Sequence, residues 1–219
     1  MEKFAARGYS LYLVGGSVRD ALLGRLGNDL DFTTPARPEV VKEILDEWAE
    51  TVWDTGIDFG TVSAAYKGQQ IEITTFRSDS YDGQSRNPEV VYGDTLEGDL
   101  VRRDFKANAM AIELLADASF KFHDPLHGLQ DIADRVLDTP DKPEISFHDD
   151  PLRMLRAARF ASQLEFRVAD RVVEAMRDMA GEIQRITVER VQVELDKLIC
   201  GTAPWDGIDL LVSTGIADY

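Results

Sequence analysis

Apolar and polar positions recur along this chain in two regimes, one with the mixed periods of strands and helices and one with the helical period alone. Over residues 9–15 the run Ser10-Leu11-Tyr12-Leu13-Val14 ends at two glycines and predicts a strand. Residues 17–26 place Val18, Ala21, Leu22 and Leu26 on one helical face, and 29–33 predict the next strand. Pro38 opens a predicted helix through Trp48, with Val41, Ile44, Leu45 and Trp48 at helical spacing and the proline in its first turn. Residues 61–66 and 70–76 predict two strands folded about Lys67-Gly68. From 78 to 99 Ser, Asp, Gly and Asn dominate, which predicts a long loop of the kind that tends to carry function. A helix is predicted from Arg102 to Met110, then strands over 111–115 and 120–122, the second broken by Asp124-Pro125.

From about Asp149 the pattern becomes purely helical. Residues 151–164, 169–180 and 188–199 predict three helices; Pro204-Trp205-Asp206-Gly207 interrupts the pattern and 208–212 begins another. The fold expected is α+β: a head domain over 1–140 with a mixed sheet flanked by helices, then an all-helical domain over 141–219. The last helix pair reads as incomplete, so a truncated second domain is expected.

Composition narrows the function. The chain has 219 residues and a formal net charge of −16, which disfavours a free-standing nucleic-acid binder. Only 151–190 leans basic, with eight Lys/Arg against six Asp/Glu. No apolar run reaches membrane-spanning length and no signal segment follows Met1. The single cysteine, Cys200, excludes an internal disulfide and fits the cytoplasm; in the run Leu198-Ile199-Cys200 it is expected to be buried and inert. His123, His127 and His148 do not have ligand spacing, and a zinc site is not expected.

The candidate chemistry starts at Asp29-Leu30-Asp31. In a strand, residues i and i+2 share a face about 7 Å apart, so both aspartates face one site while Leu30 and Phe32 face the core. Two metal ions bridging a triphosphate need such a pair of hard oxygen donors. Alone, Asp-x-Asp is common and is better explained by two surface acids in a turn. Three further motifs accompany it in order: Gly15-Gly16-Ser17-Val18-Arg19-Asp20 before it, then Arg102-Arg103-Asp104-Phe105 with Asn108-Ala109-Met110, then Asp149-Asp150-Pro151-Leu152-Arg153.

This ordered set resembles the class II tRNA nucleotidyltransferases (CCA-adding enzymes) and the related bacterial poly(A) polymerases, of the DNA polymerase β-like superfamily. The resemblance covers nearly the whole chain. It implies a polymerase β-like nucleotidyltransferase head followed by a helical neck. Asp29 and Asp31 are then catalytic and hold two Mg²⁺ ions, with Glu72 of Ile71-Glu72-Ile73 as candidate third metal ligand. An outward-facing glutamate on an edge strand has the same pattern. Gly15, Gly16, Ser17 and Arg19 are expected at the triphosphate, where glycines let backbone N–H groups approach phosphate and Ser17 can donate its hydroxyl. Arg19 and Asp20 could equally be a structural ion pair.

Arg102, Arg103, Asp104 and Asn108 are expected at the sugar and triphosphate, with forked arginines for phosphate and Asn108 for a ribose hydroxyl. The alternative is Asp104 as a helix cap beside solvated arginines. Asp150 and Arg153 are expected to read the base. A carboxylate accepts from the amino group of cytosine or adenine while a guanidinium donates to the ring nitrogen, and uracil and guanine present a clashing carbonyl. Asp150 before Pro151 is also a strong helix cap. Arg156 and Arg159 extend the nucleotide-binding set. Arg190 is expected to brace the neck or to pair with Glu194.

The reaction implied is transfer of CMP and AMP from CTP and ATP to the tRNA 3′ end. Family members carry further helical domains that grip the tRNA, so weak tRNA binding is expected of a chain this long. The alternatives are a poly(A) polymerase, an enzyme that adds only CC or only A, and an inactive nucleotide-binding fragment.

Overall fold

The computed structural model describes residues 1–25, 27–80 and 89–219. It divides into two compact units: 1–103 with 108–128, and 104–107 with 129–219.

The first unit is built on a seven-stranded mixed sheet. Its strands are β1 (Tyr12–Val14), β2 (Asp29–Thr34), β3 (Thr51–Trp53), β4 (Thr61–Tyr66), β5 (Gln69–Thr75), β8 (Ala111–Leu114) and β9 (Phe120–His123), in the order β3-β4-β5-β2-β1-β8-β9. β2 and β5 run parallel and the other pairs antiparallel. The β4–β5 hairpin turns at Lys67 and Gly68, both with positive φ (51° and 77°), as a two-residue hairpin of the favoured twist requires.

Helices α1 (Glu2–Ala6), α2 (Gly16–Leu22), α3 (Pro38–Asp46) and α4 (Leu96–Val101) flank the sheet in sequence. α3 buries Val41, Ile44 and Leu45 in one core with Phe4 and with Val62, Ala64 and Ile73 of β4 and β5. A second core joins Val14, Phe76, Ala109 and Ala111 to Leu96 and Leu100 of α4.

The loop expected over 78–99 is different where it is described. β6 (Arg77–Ser80) and β7 (Glu89–Tyr92) form an antiparallel ribbon, and α4 follows. Residues 81–88, the middle of that expectation, lie outside the described residues. α4 starts where the Thr95 side chain accepts from the Gly98 N–H, a one-turn cap with acidic Glu97 and Asp99 behind it. Arg102 therefore ends a helix instead of opening one. The predicted helix over 102–110 reduces to a 3₁₀ turn at Lys106–Asn108.

The second unit is mainly helical: α5 (Gly128–Ala133, whose first residue falls in the first unit), α6 (Pro143–Asp149), α7 (Leu152–Leu164), α8 (Asp170–Asp178), α9 (Val188–Ile199) and α10 (Pro204–Ser213). Two short parallel strands, β10 (Val136–Leu137) and β11 (Arg167–Val168), join it. α7 is the hub, burying Leu152, Met154, Leu155, Ala158 and Phe160. The stretch at Pro204 does not interrupt a helix but starts α10, with the proline in its first turn. Gly207 is what lets α10 lie on α7: a Cβ there would stand 2.6 Å from the Ala158 carbonyl. Cys200 is exposed, not buried. α9 buries Glu194 and Leu198, one turn apart, and a residue two positions past Leu198 turns away from that face. Among the described residues no helix is long and apolar enough to cross a membrane.

Candidate active site

The site grows from the point where β1 stops. β1 pairs with β2 only through Tyr12↔Thr33 and Leu13↔Phe32, so the start of β2 extends past its neighbour. Ser17, at the start of α2, fills the gap. Its Oγ accepts from the Asp31 N–H at 3.1 Å and donates to the Asp29 carbonyl at 3.3 Å. The hydroxyl thus substitutes for the missing strand and fixes the backbone that carries both aspartates. Gly16, Ser17, Asp20, Gly27, Asn28, Asp29 and Asp31 line a cleft of 240 Å³. Gly27 and Asn28 were missed in the sequence; the only signal was their place just before an Asp-x-Asp strand.

On the other side of β2 the parallel register sets Asp31 against Glu72 and Asp29 against Gln70. β5 lies between β4 and β2, so Glu72 is on an interior strand, not at an edge. Its Oε1 accepts from Gln70 Nε2 at 3.3 Å. Asp31 is reached by solvent, yet its carboxyl is held above the ordinary range. Burial is the main cause, the Glu72 charge adds to it, Arg103 opposes it and Asp29 adds a smaller push. An Asp31 carboxyl whose proton affinity is raised by burial and by its carboxylate neighbours, itself a hard oxygen donor, fits a divalent cation that would offset that charge. Glu72 is not drawn into a three-ligand cage: among the described residues no group of three or more His, Cys, Asp or Glu is arranged to hold a metal. The fit is therefore to a metal held by one or two carboxylates, the other positions being left to substrate phosphate and water.

Gly15 closes the cleft with φ +70°, a conformation that suits glycine. A Cβ there would stand 3.0 Å from Arg103 Nη1, tighter than van der Waals contact, and in ordinary contact with Asp31 Oδ2 at 3.9 Å, so the backbone passes close to the guanidinium. Arg103 is held by Asp99, a residue not singled out from sequence. A carboxylate three and four positions before two arginines was the available signal. Arg19 forks onto Asp20 (3.0 and 2.9 Å) and gives its third nitrogen to the Asn108 side-chain oxygen at 2.6 Å. The first unit thus gathers Gly15, Gly16, Ser17, Arg19, Asp29, Asp31, Glu72, Arg102, Arg103 and Asn108.

Asp104 belongs to the second unit and Asn108 to the first, so the Arg102-Arg103-Asp104 motif divides there and no α-helix carries both. Asp104 Oδ2 accepts from Arg156 Nε (2.8 Å) and Nη2 (2.5 Å), and Oδ1 accepts from the Phe105 N–H at 2.8 Å. Glu194, only 4 % exposed, lies 3.7 Å from Arg156 Nη1 and 2.6 Å from Arg159 Nε. The last approach is an ion pair whose N–H points off the line to the carboxylate oxygen. Burial works against the Arg156 charge, but Asp104, Glu194 and Asp150 outweigh it and hold its pKa above the usual arginine value. Glu194 is paired with these two arginines, whereas Arg190 reaches Asp150 Oδ2 at 2.9 Å. Asp150 also caps α7, its Oδ1 accepting from the Leu152 N–H at 3.2 Å. Arg153 Nη1 donates to Ser146 Oγ at 2.9 Å.

Residues 11–138 match the family described as the poly(A) polymerase head domain. The chain belongs to that family. Residues 165–219 match a second one, described as "Probable RNA and SrmB-binding site of polymerase A". Relatives of this chain include a CCA-adding enzyme of Listeria innocua, 40% identical over 220 residues, covering all of this chain and 54% of the relative. One from Levilactobacillus brevis is 43% identical over 213 residues, covering 97% of this chain and 52% of the relative. Among solved structures, the Bacillus stearothermophilus CCA-adding enzyme in complex with CTP superposes with a TM-score of 0.85 at 37% identity, covering 98% of this chain and 50% of the other. A tRNA nucleotidyltransferase complexed with a primer tRNA and an incoming ATP analog does so with 0.82 at 28%, covering 100% and 61%. The chain spans about half the length of the curated relatives it matches.

Proposed function

We propose that this chain carries the transfer chemistry of a CCA-adding enzyme: CMP and AMP move from CTP and ATP to the 3′ end of tRNA, and pyrophosphate leaves. The observation that carries the reading is the pair Asp29 and Asp31 on one strand, beside Glu72, in a cleft closed by Gly15-Gly16. The tRNA 3′ oxygen forms a bond to the α-phosphorus, the bond from that phosphorus to the pyrophosphate oxygen breaks, and the hydroxyl proton passes to solvent. Magnesium, when bound, lowers the pKa of the attacking hydroxyl and offsets charge on the departing pyrophosphate. Asp29 and Asp31 would hold it, and Ser17 keeps both in place through the β2 backbone.

Arg103 offers a guanidinium to the phosphates. Arg19 acts through Asn108, whose amide it orients. Asp150 and Arg153 are the base readers in this proposal, and to read a base they exchange or share their present partners, Arg190 and Ser146. Asp104, Arg156 and Arg159 brace the helices in place of binding nucleotide. The relatives named as CCA-adding enzymes, and solved complexes with CTP and with an ATP analog, support the choice of reaction. The net charge of −16 supports weak tRNA binding, and the cytoplasm is the compartment proposed.

Labelled CTP and labelled ATP, supplied separately to a tRNA lacking its 3′ CCA, test the reading. CMP incorporation is expected. AMP incorporation alone would identify a poly(A)-type enzyme, and no incorporation of either would leave only a nucleotide-binding chain.

A further inference from the structure

Asp99 is 1% exposed, and both its oxygens are taken. Oδ1 accepts from Arg102 Nε at 3.1 Å and Nη2 at 2.9 Å, and Oδ2 accepts from Arg103 Nη2 at 3.0 Å. Burial alone would push its pKa up; the charges and hydrogen bonds of Arg103 and Arg102 overcome that and hold it below the ordinary carboxylate range. It is therefore an ionised clamp at neutral pH. The clamp uses only one nitrogen of Arg103. Nε of Arg103 is buried and has no hydrogen-bond partner among the described residues. Nη1 stands against Gly15: a Cβ there would lie 3.0 Å from it and 3.9 Å from Asp31 Oδ2, and the Arg103 charge is felt at the Asp31 carboxyl. A mobile guanidinium whose charge reaches Asp31 would fold onto that carboxylate and cancel the charge that a bound cation must meet. Anchoring one edge on Asp99 prevents this and keeps the other edge turned to the cleft.

We infer that Asp99 is a positioning residue, which fixes Arg103 so that its Nη1 edge receives the phosphate chain of a nucleoside triphosphate. The identity of the ligand rests on the proposed function; the clamp itself does not.

The test measures inorganic triphosphate binding in magnesium by calorimetry, for wild type, Asp99→Asn, Arg103→Ala and the double variant. Asp99→Asn is expected to weaken binding about tenfold, the size of one lost charge-assisted hydrogen bond. In the Arg103→Ala background the same change should cost less than about twofold, because Asp99 acts through Arg103. Wild-type affinity in Asp99→Asn, or losses that multiply in the double variant, would overturn the inference. So would a wild-type chain that does not bind triphosphate. If Asp99→Asn does not fold, Asp99→Glu replaces it: it keeps the charge, displaces the clamp by one methylene, and should weaken binding only where Arg103 is present. A wild-type chain that binds triphosphate but transfers neither CMP nor AMP contradicts the proposed function, while the cycle still decides the role of Asp99.

Discussion

Replacing Asp104 by Asn tests whether this motif residue serves the helical unit. The carboxylate is 7% exposed and accepts two bonds on one oxygen from Arg156, at 2.8 and 2.5 Å. An amide nitrogen at that position would face the guanidinium donor to donor. Two charge-assisted hydrogen bonds are lost, and a cation sharing Glu194 with Arg159 loses its stronger partner. Breaking a buried pair costs about 3–5 kcal/mol. A third of the Arg156 side chain still meets water, which places the cost at the low end, about 3 kcal/mol. For a chain of this size that lowers the melting temperature by about 6–12 °C. Thermal unfolding should be followed for Asp104→Asn alone and in an Arg156→Gln background, where the same change should cost less than about 1 kcal/mol. A single variant that melts within about 1 °C of wild type, or an equal loss in both backgrounds, would show that Asp104 does not hold the helical unit through Arg156.

Ser17→Ala should leave the KM for CTP within about twofold while lowering kcat about tenfold, and the Asp31 amide should exchange faster; Ser17→Thr should restore both. A raised KM with unchanged exchange would instead make Ser17 a phosphate ligand. Asp138 accepts from Lys106 and Arg171 and, despite burial pushing the other way, is held below its ordinary value of 3.8. The stability it confers is present above pH 3.8 and lost as pH falls through its lowered folded value. The melting deficit of Asp138→Asn should therefore be full near neutrality and shrink in acid; a pH-independent deficit would contradict this. Asp31 has the opposite sign: its ionisation costs stability above its raised value, and the cost fades as pH falls toward 3.8. Asp31→Asn should thus melt no lower than wild type at pH 7.

The parts of the fold readable in the sequence were those with a strong local period. Val41, Ile44 and Leu45 mark α3, Lys67-Gly68 marks its hairpin, and Leu152, Leu155 and Ala158 mark the buried face of α7. Elements set by tertiary partners were not readable. β6 (Arg77-Ser78-Asp79-Ser80) has no apolar alternation and pairs with β7, and α4 is only six residues long and owes its start to the Thr95 cap. Gly207 looked like a breaker because sequence shows its flexibility and not the Ala158 carbonyl it must clear. At the site, the Asp29 and Asp31 spacing and the Gly15-Gly16 turn were legible as local geometry. The partners of Arg103, Asp104 and Asn108 were not: the helix expected to start at Arg102 does not form, α4 ends there, and their contacts come from Asp99, Arg156 and Arg19.

Asp29 and Asp31 are the residues proposed to carry nucleotidyl transfer. The most direct measurement is incorporation of labelled CMP into tRNA lacking CCA, by wild type, Asp29→Asn and Asp31→Asn in magnesium, with melting recorded for each. Wild type is expected to incorporate CMP, and either variant to lose at least about a thousandfold without loss of fold. Undiminished incorporation by a folded Asp29→Asn or Asp31→Asn chain would contradict that role.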